Sequence, residues 1–177
     1  MVRFKNRWIL AEFIPVVHGS AQLGKRAAQA NIDGKTIWAA LKQSVLDNFG
    51  DTGWGAVGLS LTGESSVVPR NLKLIFFLLL VKYFSPTTNL CIIRVARDHH
   101  NMAWAAVTLL TAIEGVRYIP NVIHLSGTIK HAQLAAISHN REVIARYRAL
   151  AKSPVAYQDG FDSFLETSEL EIEAMQD

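Results

Sequence analysis

Arg94, Arg97, Asp98, His99 and His100 place two guanidinium groups, a carboxylate and two imidazoles within one short run. A carboxylate beside two imidazoles is raw material for general acid–base catalysis or for a metal site. The spacing supports neither. No His-x₃-His or His-Glu-x-x-His pattern occurs, and His124 and His131 fall on different expected elements. No catalytic or metal-ligating residue is therefore assigned. Anion binding suits the group better, because these residues sit at the expected start of a helix, where free backbone N–H groups and the helix dipole favour negative charge. A second candidate is Ser126-Gly-Thr-Ile-Lys130, which lacks the Gly-x-x-x-x-Gly-Lys frame of a phosphate loop but suits a strand-to-helix turn with Lys130 in the first helical turn. A third, Gly53-Trp-Gly55-Ala-Val-Gly58, matches Gly-x-Gly-x-x-Gly by letter only. A dinucleotide fingerprint follows a strand and opens a helix, whereas here a helix is expected before it and a strand after it.

The elements that must position these residues follow from periodicity. Residues 2–14 alternate as a strand, with Arg3, Lys5 and Arg7 on one face and Val2, Phe4 and Trp8 on the other. Asp33 is a helix N-cap; Ile37, Leu41, Val45, Leu46 and Phe49 form a helical stripe, and Gly50 closes it. Residues 53–61 are expected to enter a second strand. Cys91 to Ala96 is β-branched and apolar, and Met102, Ala106, Leu109, Leu110 and Ile113 then fall at helical offsets behind Asp98 as N-cap. Val116 to Leu125 is the last strand, and a long helix runs from Ile129 to Ala151. The order β, α, β, β, α, β, then helix predicts an α+β, ferredoxin-like split β-α-β sandwich with an added C-terminal helix. Trp8, Trp38 and Trp104 lie near the apolar stripes and are assigned to the core.

Charge is segregated along the 177 residues. All 18 Lys and Arg lie in residues 1–152, against 8 Asp and Glu, for a net +10; residues 153–177 carry 7 acidic residues and no Lys or Arg. The reading is one domain over 1–152 and an acidic tail over 153–177, a mobile end or, alternatively, an electrostatic lid on the basic body. A single cysteine, Cys91, excludes an internal disulfide and a multi-cysteine zinc site, and implies a reducing compartment. The start MVRFKNRW has no apolar signal core, which leaves cytosol or nucleus. Residues 63–80, GESSVVPRNLKLIFFLLL, match nothing around them. The apolar run Leu74 to Val81 falls short of the roughly 20 residues of a bilayer span. Gly-Glu-Ser is encodable by a splice-donor sequence, and the Leu/Phe/Ile run by a pyrimidine-rich tract. Two readings of the segment stand: an extra buried strand or short helix, or the favoured one, an atypical insertion from a retained intron, since joining Thr62 to Val81 leaves an uninterrupted hairpin with a Ser-Pro-Thr-Thr-Asn turn.

Three stretches, MVRFKNRWIL, VKYFSPTTNLCIIRVARDHHNMAWAAVTLL and VIHLSGTIKHAQLAAISHNR, together resemble the Pop-five-type protein subunit shared by eukaryotic ribonuclease P and RNase MRP. The most specific matches are Arg94-Val-Ala-Arg-Asp-His99 and Ser126-Gly-Thr-Ile-Lys130. The resemblance implies an RRM- or ferredoxin-type sandwich and a non-catalytic subunit of a ribonucleoprotein whose RNA hydrolyses the phosphodiester with bound magnesium, the protein itself holding no cofactor. It implies partners in that RNA and in a barrel-type and other protein subunits, with precursor tRNA nearby and no membrane. It also implies roles in tRNA 5′ maturation and ribosomal-RNA processing, in the nucleus and nucleolus.

Cys91 to Ala96 lacks the aromatic residues of RNA-recognition signatures, so RNA contact would rest on phosphates. The basic positions assigned to it are Arg3, Lys5, Arg7, Lys82, Arg94, Arg97, His99, Lys130, Arg141 and Arg148, with Arg146 beside them; Arg141 and Arg148 are seven apart and share a helix face. Two other classes remain open from the residues alone: a protein-interaction adaptor whose basic surface is incidental, and a small hydrolase built on Asp98 and the two histidines.

Overall fold

A computed structural model describes residues 5–16, 32–62, 81–150 and 156–175, the side chains of 58–62, 150 and 156–159 excepted. Arg3 and the insertion 63–80 lie outside the described residues. The elements are β1 (Asn6–Pro15), α1 (Gly34–Thr62), β2 (Val81–Ser85), β3 (Leu90–Ala96), α2 (His100–Thr108), β4 (Ala112–Ile113), β5 (Val116–Ser126), α3 (Ile129–Leu150) and α4 (Ala156–Glu173). The strands form one antiparallel sheet in the order β2-β3-β1-β5-β4. With the two-residue β4 set aside, this is the strand order of a split β-α-β sandwich, as expected.

β1 is central because both of its faces are apolar. Ile9, Ala11 and Phe13 join Cys91, Ile93 and Val95 against residues of α1 and α2, including Ile37, Val45, Val57, Ala106 and Val107. The alternate residues Trp8 and Leu10 join Tyr83, Leu90 and Ile92 against Ala132 and Ala136 of α3 and Ile172 of α4. Both faces of the sheet are thus covered. Each large apolar side chain fully buried this way is worth about 1.5–3 kcal/mol.

Local chemistry sets the element ends. Asp33 caps α1 by accepting from the Gly34 N–H at 2.7 Å, while the Asp33 N–H donates to Thr36 Oγ1 at 2.9 Å. Gly50, at φ 65°, breaks α1 where a closing glycine is expected. The chain then resumes helical structure, and the expected strand over 53–61 does not form. Trp54 and Val57 recur at helical spacing: the Trp54 ring meets Trp38 edge-on at 5.5 Å, and Val57 is fully buried. The glycine signature therefore lies inside a helix. A Cβ at Gly53 would come within 2.3 Å of the Phe49 Cβ, so that glycine admits close packing. The strand role passes to β2, which pairs with β3 across the expected Ser-Pro-Thr-Thr-Asn turn, with Asn89 at φ 52°.

Two further expectations are corrected. Asp98 does not cap α2; a single 3₁₀ turn, Arg97–His99, intervenes, and the Asp98 carboxylate instead accepts from Arg97 Nε at 3.2 Å. Trp104 is 41% exposed, because α2 turns that position away from the sheet. Residues 156–173, within the expected tail, are helical. They form α4, with Ile172 fully buried and the Gln133 side-chain amide donating to the carbonyls of Ile172 and Met175 at 2.7 and 3.1 Å, which satisfies helix-end acceptors. Among the described residues no helix is long and apolar enough to cross a membrane.

Candidate nucleic-acid interface

The antiparallel register brings basic residues from three elements to one end of the sheet. Asn6 pairs with Ala96, Arg7 with Val95 and Trp8 with Arg94, while Trp8 on its other side pairs with Ser126. The Arg97 N–H donates to the Lys5 carbonyl at 2.7 Å, which extends the β1–β3 ladder by one bond and fixes Lys5 beside the Arg97 turn. Arg7 reaches toward the β5–α3 turn: a Cβ on Gly127 would stand 3.7 Å from Arg7 Nη1. Lys130 projects exposed from the first turn of α3, directly after that turn. Lys5, Arg7, Arg94, Arg97, His99 and Lys130 thereby share one edge of the molecule.

Several of these groups are held rather than loose. With the Asn6 amide turned so that its oxygen faces Arg94, Nε and Nη2 of Arg94 donate to it at 3.1 and 2.9 Å. Arg7 Nη1 donates to the Asn6 carbonyl at 3.0 Å. The β5–α3 turn is organised by Ser126, whose hydroxyl accepts from the Thr128 N–H at 3.1 Å and donates to the Thr128 carbonyl at 2.7 Å. His100 Nδ1 lies against the Arg97 carbonyl. Asp98 offsets only part of this charge, since its ion pair with Arg97 is three-quarters exposed on the carboxylate side and screened by water. The ensemble can hold a chain of phosphates. Asn6, which orients Arg94, was missed by sequence reasoning; its position opposite the basic end of β3 was visible only through the register.

The remaining basic candidates lie elsewhere. Lys82 is in the edge strand β2, at the irregularity between Val81 and Tyr83. Arg141 and Arg148 project from α3 into ion pairs with Glu169 and Asp162 of α4, and Arg146 pairs with Glu142 one turn back at 2.6 Å. Hydrogen bonding to Arg146 holds the Glu142 carboxyl below its ordinary range. No cluster of three or more His, Cys, Asp or Glu suited to a metal occurs among the described residues. The sheet face that carries Trp8, Leu10, Tyr83, Leu90 and Ile92 lies beneath α3 and α4, so base stacking on it is blocked. His139 strengthens that cover: its Nε2 meets Glu12 Oε2 of β1 at 3.2 Å, with both side chains nearly buried.

The model of the Rpp14/Pop5 family matches residues 7–137 of this chain. The chain belongs to the Rpp14/Pop5 family. This family member is 37% identical over 145 residues to the ribonuclease P/MRP protein subunit POP5 of Schizosaccharomyces pombe, an alignment covering 81% of this chain and 91% of that protein. It is 30% identical over 142 residues to a probable POP5 subunit of Arabidopsis thaliana, covering 80% and 81% of the two chains. With the POP5 subunit of Danio rerio it shares 28% identity over 163 residues, covering 90% and 82%. The matched residues of this Rpp14/Pop5 member include β1 from Arg7 onward, β3 and the start of α3, which carry Arg7, Arg94 and Lys130 of the basic end.

Proposed function

We propose that this chain is a protein subunit of ribonuclease P and RNase MRP that binds the backbone of the particle's RNA through the basic end of its sheet. The observation that carries the reading is the convergence of Lys5, Arg7, Arg94, Arg97 and Lys130 from three sequence-distant elements, in a chain whose Rpp14/Pop5 relatives bear that subunit name. Phosphate contact rather than base reading suits the geometry, because the sheet face is occupied and the basic groups lie at its rim. In this reading the protein is non-catalytic. Hydrolysis belongs to the RNA and its magnesium, while the protein neutralises backbone charge and favours the active RNA fold. Other subunits, a barrel-type protein among them, join the same particle, which acts on precursor tRNA and ribosomal RNA in the nucleus and nucleolus.

Affinity purification of the tagged chain from cells tests the assignment. Co-recovery of a structured RNA together with RNA-dependent tRNA 5′-processing activity is expected. Recovery of proteins without RNA, unaffected by nuclease or salt, would instead assign the chain to protein-only assemblies.

A further inference from the structure

The ion pairs between α3 and α4 have a register of their own. Arg141 and Arg148 are seven residues apart on α3, and the carboxylates they meet, Glu169 and Asp162, are seven apart on α4 in the opposite order. Two antiparallel helices thus match a pair of cations to a pair of anions across about 10 Å, seven residues at 1.5 Å each. Yet these pairs do not seat α4. Its C-terminal end is anchored by buried Ile172 and by Gln133. Toward its N-terminus the attachments among the described residues include the exposed Arg148–Asp162 pair and a tilted Tyr147–Phe161 ring contact at 6.4 Å, with Phe164 and Leu165 half-buried. The pairing is also incomplete: Arg148 Nε is shielded from water and has no acceptor among the described residues. A phosphate, unlike a single carboxylate oxygen, offers acceptors to both Nε and Nη of one guanidinium.

From this we infer that the Arg141–Arg148 ridge of α3 is a second RNA-backbone site and that the acidic face of α4 is its displaceable intramolecular competitor. The inference rests on the RNA-binding reading above. The anchored end of α4 keeps the sheet face covered while the exposed Arg141 and Arg148 side chains turn from their carboxylates, so the hydrophobic core is not opened. RNA with phosphates at both the sheet end and the ridge displaces the carboxylates; RNA that reaches only the sheet end does not.

The test uses the full chain and a structured RNA in filter binding at several salt concentrations. Asp162→Asn with Glu169→Gln removes the competitor without touching Ile172 or Gln133. Loss of two exposed ion pairs should tighten RNA binding by roughly two- to thirtyfold. The gain should vanish when Arg141→Gln and Arg148→Gln are added to the same chain. A control of equal charge change, Asp47→Asn with Asp51→Asn on exposed positions of α1, should leave affinity within about twofold. Unchanged affinity on neutralising α4, or a gain that survives loss of the two arginines, overturns the inference. If neutralising α4 leaves affinity unchanged while the original chain binds RNA and loses salt dependence on substitution of Arg7 and Lys130, only the ridge proposal fails; if no chain binds RNA, both readings fall.

Discussion

Ile172→Ala decides whether the acidic segment is part of the folded body. Ile172 is fully buried in the cluster of Trp8, Leu10, Tyr83, Leu90, Ile92, Ala132 and Ala136. Truncating a buried isoleucine to alanine costs about 2–5 kcal/mol, transfer and cavity terms together. Alanine returns a few tenths of a kcal/mol in helix propensity, and a helix near the chain end can relax into part of the cavity. A loss of about 2–4 kcal/mol is expected, equivalent to a Tm decrease of roughly 4–16 °C for a chain of this size. Urea denaturation followed by circular dichroism measures it, with Leu170→Ala as the partner variant. Leu170 is 70% exposed on the same helix, and its truncation should stay within about 0.5 kcal/mol. Equal, small effects of the two substitutions would refute the packing of α4 on the sheet.

Other predictions follow from the same core and from the insertion. Burial pushes the Cys91 thiol well above its ordinary range, so the native protein should resist maleimide at pH 8 and react stoichiometrically once denatured; rapid native labelling would contradict the placement of β3. Burial, with a smaller push from the Glu171 carboxylate, raises the Tyr83 phenol above its ordinary range, against the opposing polar groups of Ser85, Asn140 and Ser168. A raised folded-state value means that the folded chain holds the proton more tightly. The stability contribution is therefore complete below pH 10 and is lost as pH rises beyond it, a dependence that Tyr83→Phe should flatten in denaturation midpoints measured from pH 9 to 11. If residues 63–80 derive from a retained intron, mass spectrometry of the chain from cells should recover peptides that join Thr62 to Val81; abundant peptides within 63–80 would end that reading.

Much of the fold was legible because its signals are local. The Asp33 cap, the Gly50 break, the hairpin turn before Leu90 and the strand that begins at Val116 each depend on a few neighbouring residues, and each lies where the pattern put it. Residues 53–61 misled because glycine followed by an apolar run resembles strand entry. The deciding interaction, Trp54 against Trp38, joins the two sides of the Gly50 break and is absent from any short window. The tail misled for a related reason. Its charge density is that of a solvated segment, but Ile172, set among acidic residues, faces a sheet surface whose exposure could not be inferred from residues 153–177 alone. Asp98 has the right type for a cap, yet a neighbouring guanidinium took its carboxylate. Within the basic set, residue type and position identified candidates, while only the strand register separated those gathered at the sheet end from Arg141 and Arg148, which oppose α4.

The basic end itself is tested most directly by the salt dependence of RNA binding. Arg7→Gln with Lys130→Gln and, separately, Arg94→Gln with Arg97→Gln remove charge from different elements, so that a folding defect in one pair does not mimic the other. If each residue contacts a phosphate, the slope of log K against log salt should fall by about 1.4–1.8 per double variant, at 0.7–0.9 per contact. Binding whose salt slope is unchanged in both folded double variants would contradict the assignment of this surface to RNA.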